Sequence, residues 1–443
     1  MPPSLSVDDT AAPAAVVMRA RYSLLALFTL MGMLFSSWLT RLPSLRVDLG
    51  IGSAELGALL IFGAVGALAA VLVTGTVVTR FGSRAVMLVA TAGNLVGFGL
   101  ISAAAAASDV RLFVVGALIN GMCGAGTNIP INLNAAVIEQ HVGRAILPHF
   151  HAAFSIGAAL GTLAGAAFSA AHVSAAVHIT VISLVVAVAR FLLIPAASAL
   201  QPPPLRHSAS DDGAPRPRGG VALRTALAAW AEPRTVLIGL VVLAGSLSEG
   251  SAGNWLSIAV VDGFDEREAV GSLAYGTFIV SMTVFRILGA RVIDRYGRVT
   301  VLRTSGIASL AGLMLFAFAP SLPLAWAGIV FWGFGAALGV PISIAAASDE
   351  PTRAAARVSV VTSFSSMAQL AAPPVLGLLV ETIGGRYALG SIAIALLLSI
   401  LLAGQVAPLR RESADDAGVG PADEDEVPRT SPPAADDPAA SRR

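Results

Sequence analysis

The chain has 443 residues, of which 56% are hydrophobic and 12% are charged, and its mean hydropathy is +0.79. Soluble globular proteins carry about 25% charged residues, so this composition excludes an ordinary soluble protein. The net charge is +1 and the basic residues form no patch typical of nucleic-acid binding. The single cysteine excludes an intrachain disulfide.

The apolar residues recur in stretches of roughly 20 residues, the length that an α-helix needs to cross a hydrocarbon core of about 30 Å. A secretory signal would have a shorter core and a small-residue cleavage site, so we interpret the first stretch as a retained helix. We therefore predict an all-α membrane protein with twelve spans, numbered from the N-terminus as residues 20–41, 54–78, 85–106, 111–138, 149–170, 174–196, 234–257, 269–291, 299–319, 323–347, 357–380 and 387–407.

All 28 basic residues are arginines, and their distribution predicts the orientation. Twelve spans place both termini on one side, where the links carry fifteen arginines against five in the opposite links. The positive-inside rule thus predicts cytoplasmic termini and a multi-pass protein of a bacterial-type inner membrane. Arg190 and Arg286 fall inside spans 6 and 8 near their cytoplasmic ends, where we expect the side chains to snorkel.

Polar segments divide the chain into five regions. Residues 1–19 form a cytoplasmic N-terminal segment, and residues 20–197 form a first half of six helices. Residues 198–233 are rich in Pro, Ser and charge, which predicts a flexible cytoplasmic linker. Residues 234–407 form the second half, and the acidic residues 408–443 form a cytoplasmic tail that we expect to be disordered.

The two halves contain related sequences. GTVVTRFGSR follows span 2 and ARVIDRYGR follows span 8, so that Arg80 and Gly82 correspond to Arg295 and Gly297. NIPINLNAA in span 4 likewise corresponds to GVPISIAAA in span 10. Because the counterparts are six spans apart, we predict two pseudo-symmetric halves related by an axis along the membrane normal.

These links resemble the Gly-x-x-x-Asp-Arg-x-Gly-Arg signature of the major facilitator superfamily, with Thr79 in place of the acid in the first copy. SSWLTRLPSLRVDLG, PHFHAAFSIGAALG and SEGSAGNW are similar to the branch that holds fucose-permease-like and rhizopine-associated membrane proteins. The resemblance covers most of residues 20–407 and implies a transporter. It also implies that the links gate the cytoplasmic side through Gly75, Arg80, Gly82, Arg84, Asp294, Arg295, Gly297 and Arg298.

The resemblance implies that spans 1, 4, 7 and 10 line a central cavity, where a solute would bind. Asn128 and Asn132 lie one turn apart in span 4, on one helical face. Amides donate and accept hydrogen bonds, which suits sugar-like hydroxyls. The alternative is that span-4 amides bond neighbouring helices, an interpretation that weighs more for Asn120 and Asn134.

Glu249 in span 7 is the acid that we place deepest in the apolar core. An ionised carboxylate there is costly, so Glu249 should be protonated, paired, or facing water. We predict that it binds solute and takes up a coupling proton; the alternative is a structural ion pair with an arginine. The branch often has acids where this chain has Asn128 and Asn254, and amides at those two positions argue against proton coupling through them.

Several other residues have two interpretations. Trp38 and Trp255 could stack on a solute or anchor the spans at the interface. The small-residue stripe of span 5, Gly157, Gly161 and Gly165, permits close helix approach and is a candidate sliding contact between the halves.

No catalytic or metal-binding pattern accompanies these residues. His149 and His151 point to nearly opposite faces of span 5 and cannot readily share a metal. The sequence also lacks a nucleophile elbow, a phosphate-binding loop and zinc-ligand spacing. We therefore expect neither an enzyme nor a bound cofactor or metal.

The sequence predicts a monomeric secondary transporter of a small solute that works by alternating access, with sugars or polyols as first candidates and a proton as the candidate coupling ion. The main alternative is a drug or metabolite efflux carrier. Against it, span 5 lacks the proline-containing glycine motif of proton-drug antiporters, and Ala117 stands where their span-4 arginine is expected. A transporter-like sensor that binds without transporting is a third interpretation.

Overall fold

The computed structural model describes residues 13–143, 146–200, 228–350 and 353–408. Most of the predicted linker, most of the acidic tail and the first twelve residues lie outside these ranges, so the expectations for them stay predictions. The described residues are predominantly α-helical, and none of them forms a strand.

The first half contains α1 (Ala14–Leu39), α2 (Leu42–Asp48), α3 (Ser53–Ala107), α4 (Val110–Val142), α5 (Leu147–Ala170) and α6 (Ala175–Ala197). The second half contains α7 (Pro233–Phe264), α8 (Glu268–Tyr296), α9 (Arg298–Phe318), α10 (Leu322–Ala336), α11 (Gly339–Ala347), α12 (Ala354–Ile383), α13 (Gly385–Gly390) and α14 (Ala393–Leu402), followed by a 3-10 turn at Ala403–Val406. Helix α1 begins before the predicted start of span 1. Span 10 is divided between α10 and α11, and span 12 comprises α13, α14 and the turn.

Eleven helical segments among the described residues are long and apolar enough to cross a membrane. One of them, α3, has 55 residues and would extend about 80 Å at 1.5 Å per residue, far beyond a hydrocarbon core of about 30 Å. The backbone of α3 leaves the helical region at Gly82, which separates spans 2 and 3. The twelve-span, all-α fold predicted from the sequence is therefore confirmed.

The repeat extends to backbone geometry. Gly82 has φ 81° and ψ 153°, and Gly297, which ends α8, has φ 77° and ψ 157°. Side chains strongly disfavour this region of φ and ψ, so glycine is required at both bends. The two glycines of the repeated signature thus turn the chain sharply between antiparallel helices at equivalent points of the two halves.

The glycine stripe of span 5 packs inside the first half, which corrects the expectation that it forms a sliding contact. A methyl group on Gly157 would collide with the carbonyl of Thr29, and one on Gly161 with the carbonyl of Met33. Both carbonyls belong to α1, so the missing side chains let α1 and α5 touch backbone to backbone. The sequence indicated close approach but not the identity of the partner helix.

We predict that Gly297→Ala lowers the apparent melting temperature, because the strained backbone costs about 1–3 kcal/mol. Gly75→Ala is the matched control: Gly75 is helical and a methyl group there meets open space, so alanine should be neutral or stabilising. Thermal unfolding of the purified variants, followed by tryptophan fluorescence, measures both effects. Equal melting temperatures for the two variants would contradict the assignment.

Candidate functional site

The two halves are held together at one end of the molecule. Arg46 forms a bidentate ion pair with Asp262, at 2.7 and 2.9 Å. The carboxylate of Glu381 accepts a hydrogen bond of 2.7 Å from the backbone N–H of Ala54, at the N-terminus of α3. Such a position favours an anion through the helix dipole. In the predicted orientation this is the extracytoplasmic end.

Glu268, at the start of α8, is the centre of the same contact. Its carboxylate accepts hydrogen bonds of 3.0 Å from the backbone N–H of Ser44 and from the Ser169 hydroxyl, and it lies 3.2 Å from Nη1 of Arg41. Burial lowers the pKa of Arg41, while the carboxylates of Glu268 and Asp48 act in the opposite direction. We call Arg41, Arg46, Asp262, Glu268 and Glu381 the outer latch.

Below the outer latch the backbones of the halves meet directly. A methyl group on Gly57 of α3 would collide with the carbonyl of Pro373 in α12, and one on Gly377 would lie 3.0 Å from the Cα of Gly57. The ring of Trp255 lies against Gly377 and is fully buried. This end is therefore closed both by ion pairs and by close packing.

The opposite end, which is cytoplasmic in the predicted orientation, lacks such contacts among the described residues. Asp294 and the aromatic residues Phe81 and Tyr296 are exposed there, and the guanidinium groups of Arg80 and Arg295 each lie 5.3 Å from the adjacent ring centroid. Within the described ranges, no hydrogen bond or ion pair joins the halves at this end. The described part of the chain is thus joined across the halves at the outer latch and not at the other end, which corresponds to closed outside and open inside in the predicted orientation.

At this end, which is cytoplasmic in the predicted orientation, side chains from neighbouring helices of the second half bond one another. Asp349 accepts from Arg298 at 2.7 Å and lies 3.4 Å from Arg234. Glu232 accepts a hydrogen bond of 2.6 Å from Arg357, which lowers the pKa of Glu232. Of the predicted gating residues, Arg298 is therefore paired with Asp349 of its own half. That Asp294 or Arg298 contacts the first half when the cytoplasmic end closes stays a prediction.

The span-4 amides fall into two groups. Asn128 is exposed and Asn132 half-buried, and the Asn132 amide donates to the side-chain and backbone oxygens of Asn128, both at 2.8 Å. Neither residue bonds another helix in the described part of the chain, which leaves the Asn128 amide N–H groups and the Asn132 oxygen free for a ligand. Asn120 and Asn134 instead bond Asn94 and the Pro130 carbonyl.

Glu249 has an arginine partner. Its Oε2 lies 3.6 Å from Nη2 of Arg286 in α8, and both side chains are about 40% exposed. Arg286 also donates from Nε to the carbonyl of Ala337, at 3.1 Å, in the interruption between α10 and α11. The pair therefore joins spans 7, 8 and 10 and is only partly buried by the protein. Arg286 does not snorkel as expected, because Glu249, the Ala337 carbonyl and the sulfur of Met282 hold its side chain. Arg190 does not snorkel either, since only 3% of it is exposed.

The remaining predicted site residues lie near the closed end. Trp38 is half-buried, with its ring centroid 6.3 Å from that of Phe98, and Asn254 is half-buried beside Trp255. The Nε1 donor of Trp255 is buried with no hydrogen-bond partner in the described residues. Full burial inside the protein does not fit an interfacial anchor.

Some functional residues were not found from the sequence. The contact of Arg286 with Ala337 depends on the interruption of span 10, which no pattern in the sequence predicts. His151 is exposed on α5, and the charge of Arg286 in the other half acts on it electrostatically. In the described ranges, no group of three or more His, Cys, Asp or Glu side chains could hold a metal.

Comparisons with known proteins agree with this geometry. The sequence matches the family described as Major Facilitator Superfamily over residues 22–270 and 238–432. It is 28% identical to the uncharacterized transporter y4wD of Sinorhizobium fredii, over 80% of this chain and 89% of the relative. It is 25% identical to the membrane protein MosC of Rhizobium meliloti, over 84% of this chain and 86% of the relative.

Solved structures of transporters share the fold. The nucleoside transporter NupG superimposes with a TM-score of 0.68 and 17% identity, over 87% of this chain and 98% of that chain. The E. coli fucose:proton symporter FucP superimposes with a TM-score of 0.57 and 15% identity over the same shares. At these identities the likeness shows the fold alone.

We predict that Arg46→Gln weakens the outer latch and raises the population open to the outside, by about fivefold if the pair contributes about 1 kcal/mol. The reporter is a cysteine at Ser272, which is fully buried against Thr40 in the closed end, in a Cys123→Ser background. Its labelling by an impermeant maleimide should accelerate in the Arg46→Gln variant.

Arg111→Gln is the matched control for that experiment. Arg111 lies at the same end of the molecule but is exposed, and its side chain makes no hydrogen bond or ion pair with the second half in the described residues. Equal acceleration by both substitutions would show that surface charge, and not the outer latch, sets the labelling rate.

Proposed function

Because the chain belongs to the major facilitator superfamily of membrane transporters, we propose that it carries a small polyhydroxylated solute, such as a sugar or polyol, across the cell inner membrane by alternating access. Both termini lie in the cytoplasm, and a single chain suffices. The observation that carries the proposal is the Asn128–Asn132 pair, whose Asn128 amide N–H groups and Asn132 side-chain oxygen have no hydrogen-bond partner among the described residues.

The chemistry of these amides favours a hydroxyl-bearing solute. Each sugar or polyol hydroxyl both donates and accepts, and a free N–H donor next to a free carbonyl acceptor satisfies both needs. The ion pair of Glu249 and Arg286 is balanced in charge, so this pair does not demand a charged solute.

Alternating access follows from the difference between the ends. Closing the cytoplasmic end requires breaking the outer latch and making new contacts between the two signature links. The first link supplies Arg80, Arg84 and the bend at Gly82. It lacks the aspartate of the signature, because Thr79 stands at that position. The exposed carboxylate of Asp294 is therefore the acid with which Arg80 and Arg84 would form ion pairs when the cytoplasmic end closes. In this proposal both links take part in gating.

Glu249 supplies the proposed proton coupling. While it is ionised it attracts Arg286, and this ties α7 to α8 and, through Ala337, to the interruption of span 10. Protonation removes that attraction and leaves Arg286 bonded to the Ala337 carbonyl and to the sulfur of Met282 in its own helix. A proton at Glu249 would thereby loosen α7 relative to α8 and α10, which links protonation to movement of cavity-lining helices.

We expect Asn128→Ala and Asn132→Ala each to raise the half-saturation concentration of uptake about fivefold, because a lost hydrogen bond to solute costs about 1 kcal/mol. Asn134→Ala is the matched control, since Asn134 is buried and bonds only its own helix. It should lower thermal stability and leave the half-saturation concentration unchanged.

Proteoliposomes with radiolabelled or mass-detected sugars and polyols provide the measurement for these three variants. A binding screen by thermal shift selects the solute first, because a ligand of the folded state raises its apparent stability. Unchanged half-saturation in Asn128→Ala and Asn132→Ala would exclude the amide pair as the solute site. Binding without transport in the wild type would favour a sensor.

We expect Glu249→Gln, which mimics the protonated side chain, to abolish uphill uptake driven by a proton gradient while sparing exchange of solute between equal concentrations. One proton moved inwards with a neutral solute is worth about 2.3 kcal/mol per 100 mV, so the loss should be evident. Accumulation at the wild-type level in Glu249→Gln would rule out proton coupling through this residue.

A further inference from the structure

Helix α12, which forms span 11, carries a continuous stripe of polar side chains along one face. Five exposed or half-buried residues recur there at helical spacing: Ser359, Thr362, Ser363, Ser366 and Gln369. Three of the hydroxyls donate to backbone carbonyls of their own helix. The side chains of Ser359 and Gln369 form no hydrogen bond among the described residues. We call these five residues the polar stripe.

The polar stripe extends to the middle of the membrane. The membrane-spanning part of α12 is Ala356–Ile383, and Gln369 stands at its centre. This part is the least apolar of the eleven candidate spans among the described residues. Polar side chains at such a depth are costly in lipid, so they face other helices or a water-filled cavity. The polar stripe should therefore point into the protein and not towards lipid.

The contacts of α12 show that the polar stripe faces the first half. Gly377 follows Ser359 by about five whole turns of 3.6 residues, which places both on the same side of the helix. On that side, Pro373 and Gly377 meet Gly57 of α3 in the first half. The same face of α12 thus packs closely against the first half near the outer latch. Towards the other end it presents the exposed polar groups of the stripe.

Gln369 is the member of the polar stripe that lies beside α7. A methyl group on Gly250 would lie 3.9 Å from Oε1 of Gln369, and Gly250 directly follows Glu249. About one turn nearer the cytoplasmic end, the hydroxyl of Ser246 donates to that of Ser365 at 2.7 Å, which fixes α12 against α7 at this level. The unbonded amide of Gln369 is therefore held at the depth of Glu249 in span 7.

The chemistry of the polar stripe suits a neutral solute with several hydroxyls. A free amide offers two donors and an acceptor, and each serine or threonine hydroxyl that donates still accepts. The stripe contains no charged side chain. On the basis of the proposed function, we propose that the polar stripe is the second half's wall of the solute path to the cytoplasm, and that Gln369 binds a hydroxyl of the sugar or polyol. Groups one turn apart would then replace one another as partners of the departing solute.

Cysteine labelling tests the wall of the path without any solute. In a Cys123→Ser background, Ser366→Cys should react with an impermeant maleimide applied to inside-out vesicles, because the polar stripe faces water. Met367→Cys is the matched control at the same depth: Met367 is 52% exposed but lies about 100° further round the helix. It should react about tenfold more slowly, because the reagent does not enter the hydrocarbon core. Equal rates at the two positions would overturn the proposal.

Uptake into proteoliposomes tests Gln369, with the sugar or polyol that the thermal-shift screen selects. Gln369→Ala should raise the half-saturation concentration about fivefold through loss of a hydrogen bond to the solute, with an unchanged melting temperature because the side chain is exposed and unbonded. Ser365→Ala, the control, loses the bond to Ser246 and should lower the melting temperature alone. Unchanged half-saturation in Gln369→Ala would overturn the solute contact. A carrier that transports no sugar or polyol would contradict the proposed function itself, and labelling at Ser366 would still decide whether the polar stripe lines the path.

Discussion

The hydrocarbon interior supplies no hydrogen bonds, and this constraint determines the rest of the structure. Every backbone group in a span must be satisfied within the protein, which leaves helices as the building element. Every charge placed in a span must be paired, hydrogen-bonded or in contact with water. Three arrangements answer that demand here: the partly exposed Glu249–Arg286 pair, Arg190 with its amide neighbour, and the outer latch at the membrane surface.

All the acids of the outer latch belong to the second half. Its three carboxylates, Asp262, Glu268 and Glu381, come from the second half, and the groups that they bind all come from the first half. The Arg46–Asp262 pair is partly exposed, and exposed ion pairs contribute about 1 kcal/mol or less, whereas the Arg41–Glu268 pair is largely buried. A ligand or proton can therefore shift the balance between open states, because populations respond to differences of a few kcal/mol.

Much of the fold was predictable because it depends on length and periodicity alone. Twelve apolar stretches and a repeated signature were enough for the architecture, and Gly82 and Gly297 were recognisable because one residue type tolerates their backbone. Side-chain partners were harder, since they depend on the rotation of each helix about its axis. Arg190 and Arg286 were expected to snorkel for that reason, and the amides of span 4 could be sorted only once their neighbours were known.

The most direct test of the account is whether the two ends of the molecule move in opposition. Spin labels at Thr79 and Thr300, both exposed on the cytoplasmic side, and a second pair at Val47 and Arg267, exposed at the other end, would report the two distances in proteoliposomes. When a transported solute and a proton gradient are supplied, the account predicts that the cytoplasmic distance shortens while the outer distance lengthens. Two distances that stay constant during active uptake, or that change in the same direction, would contradict it.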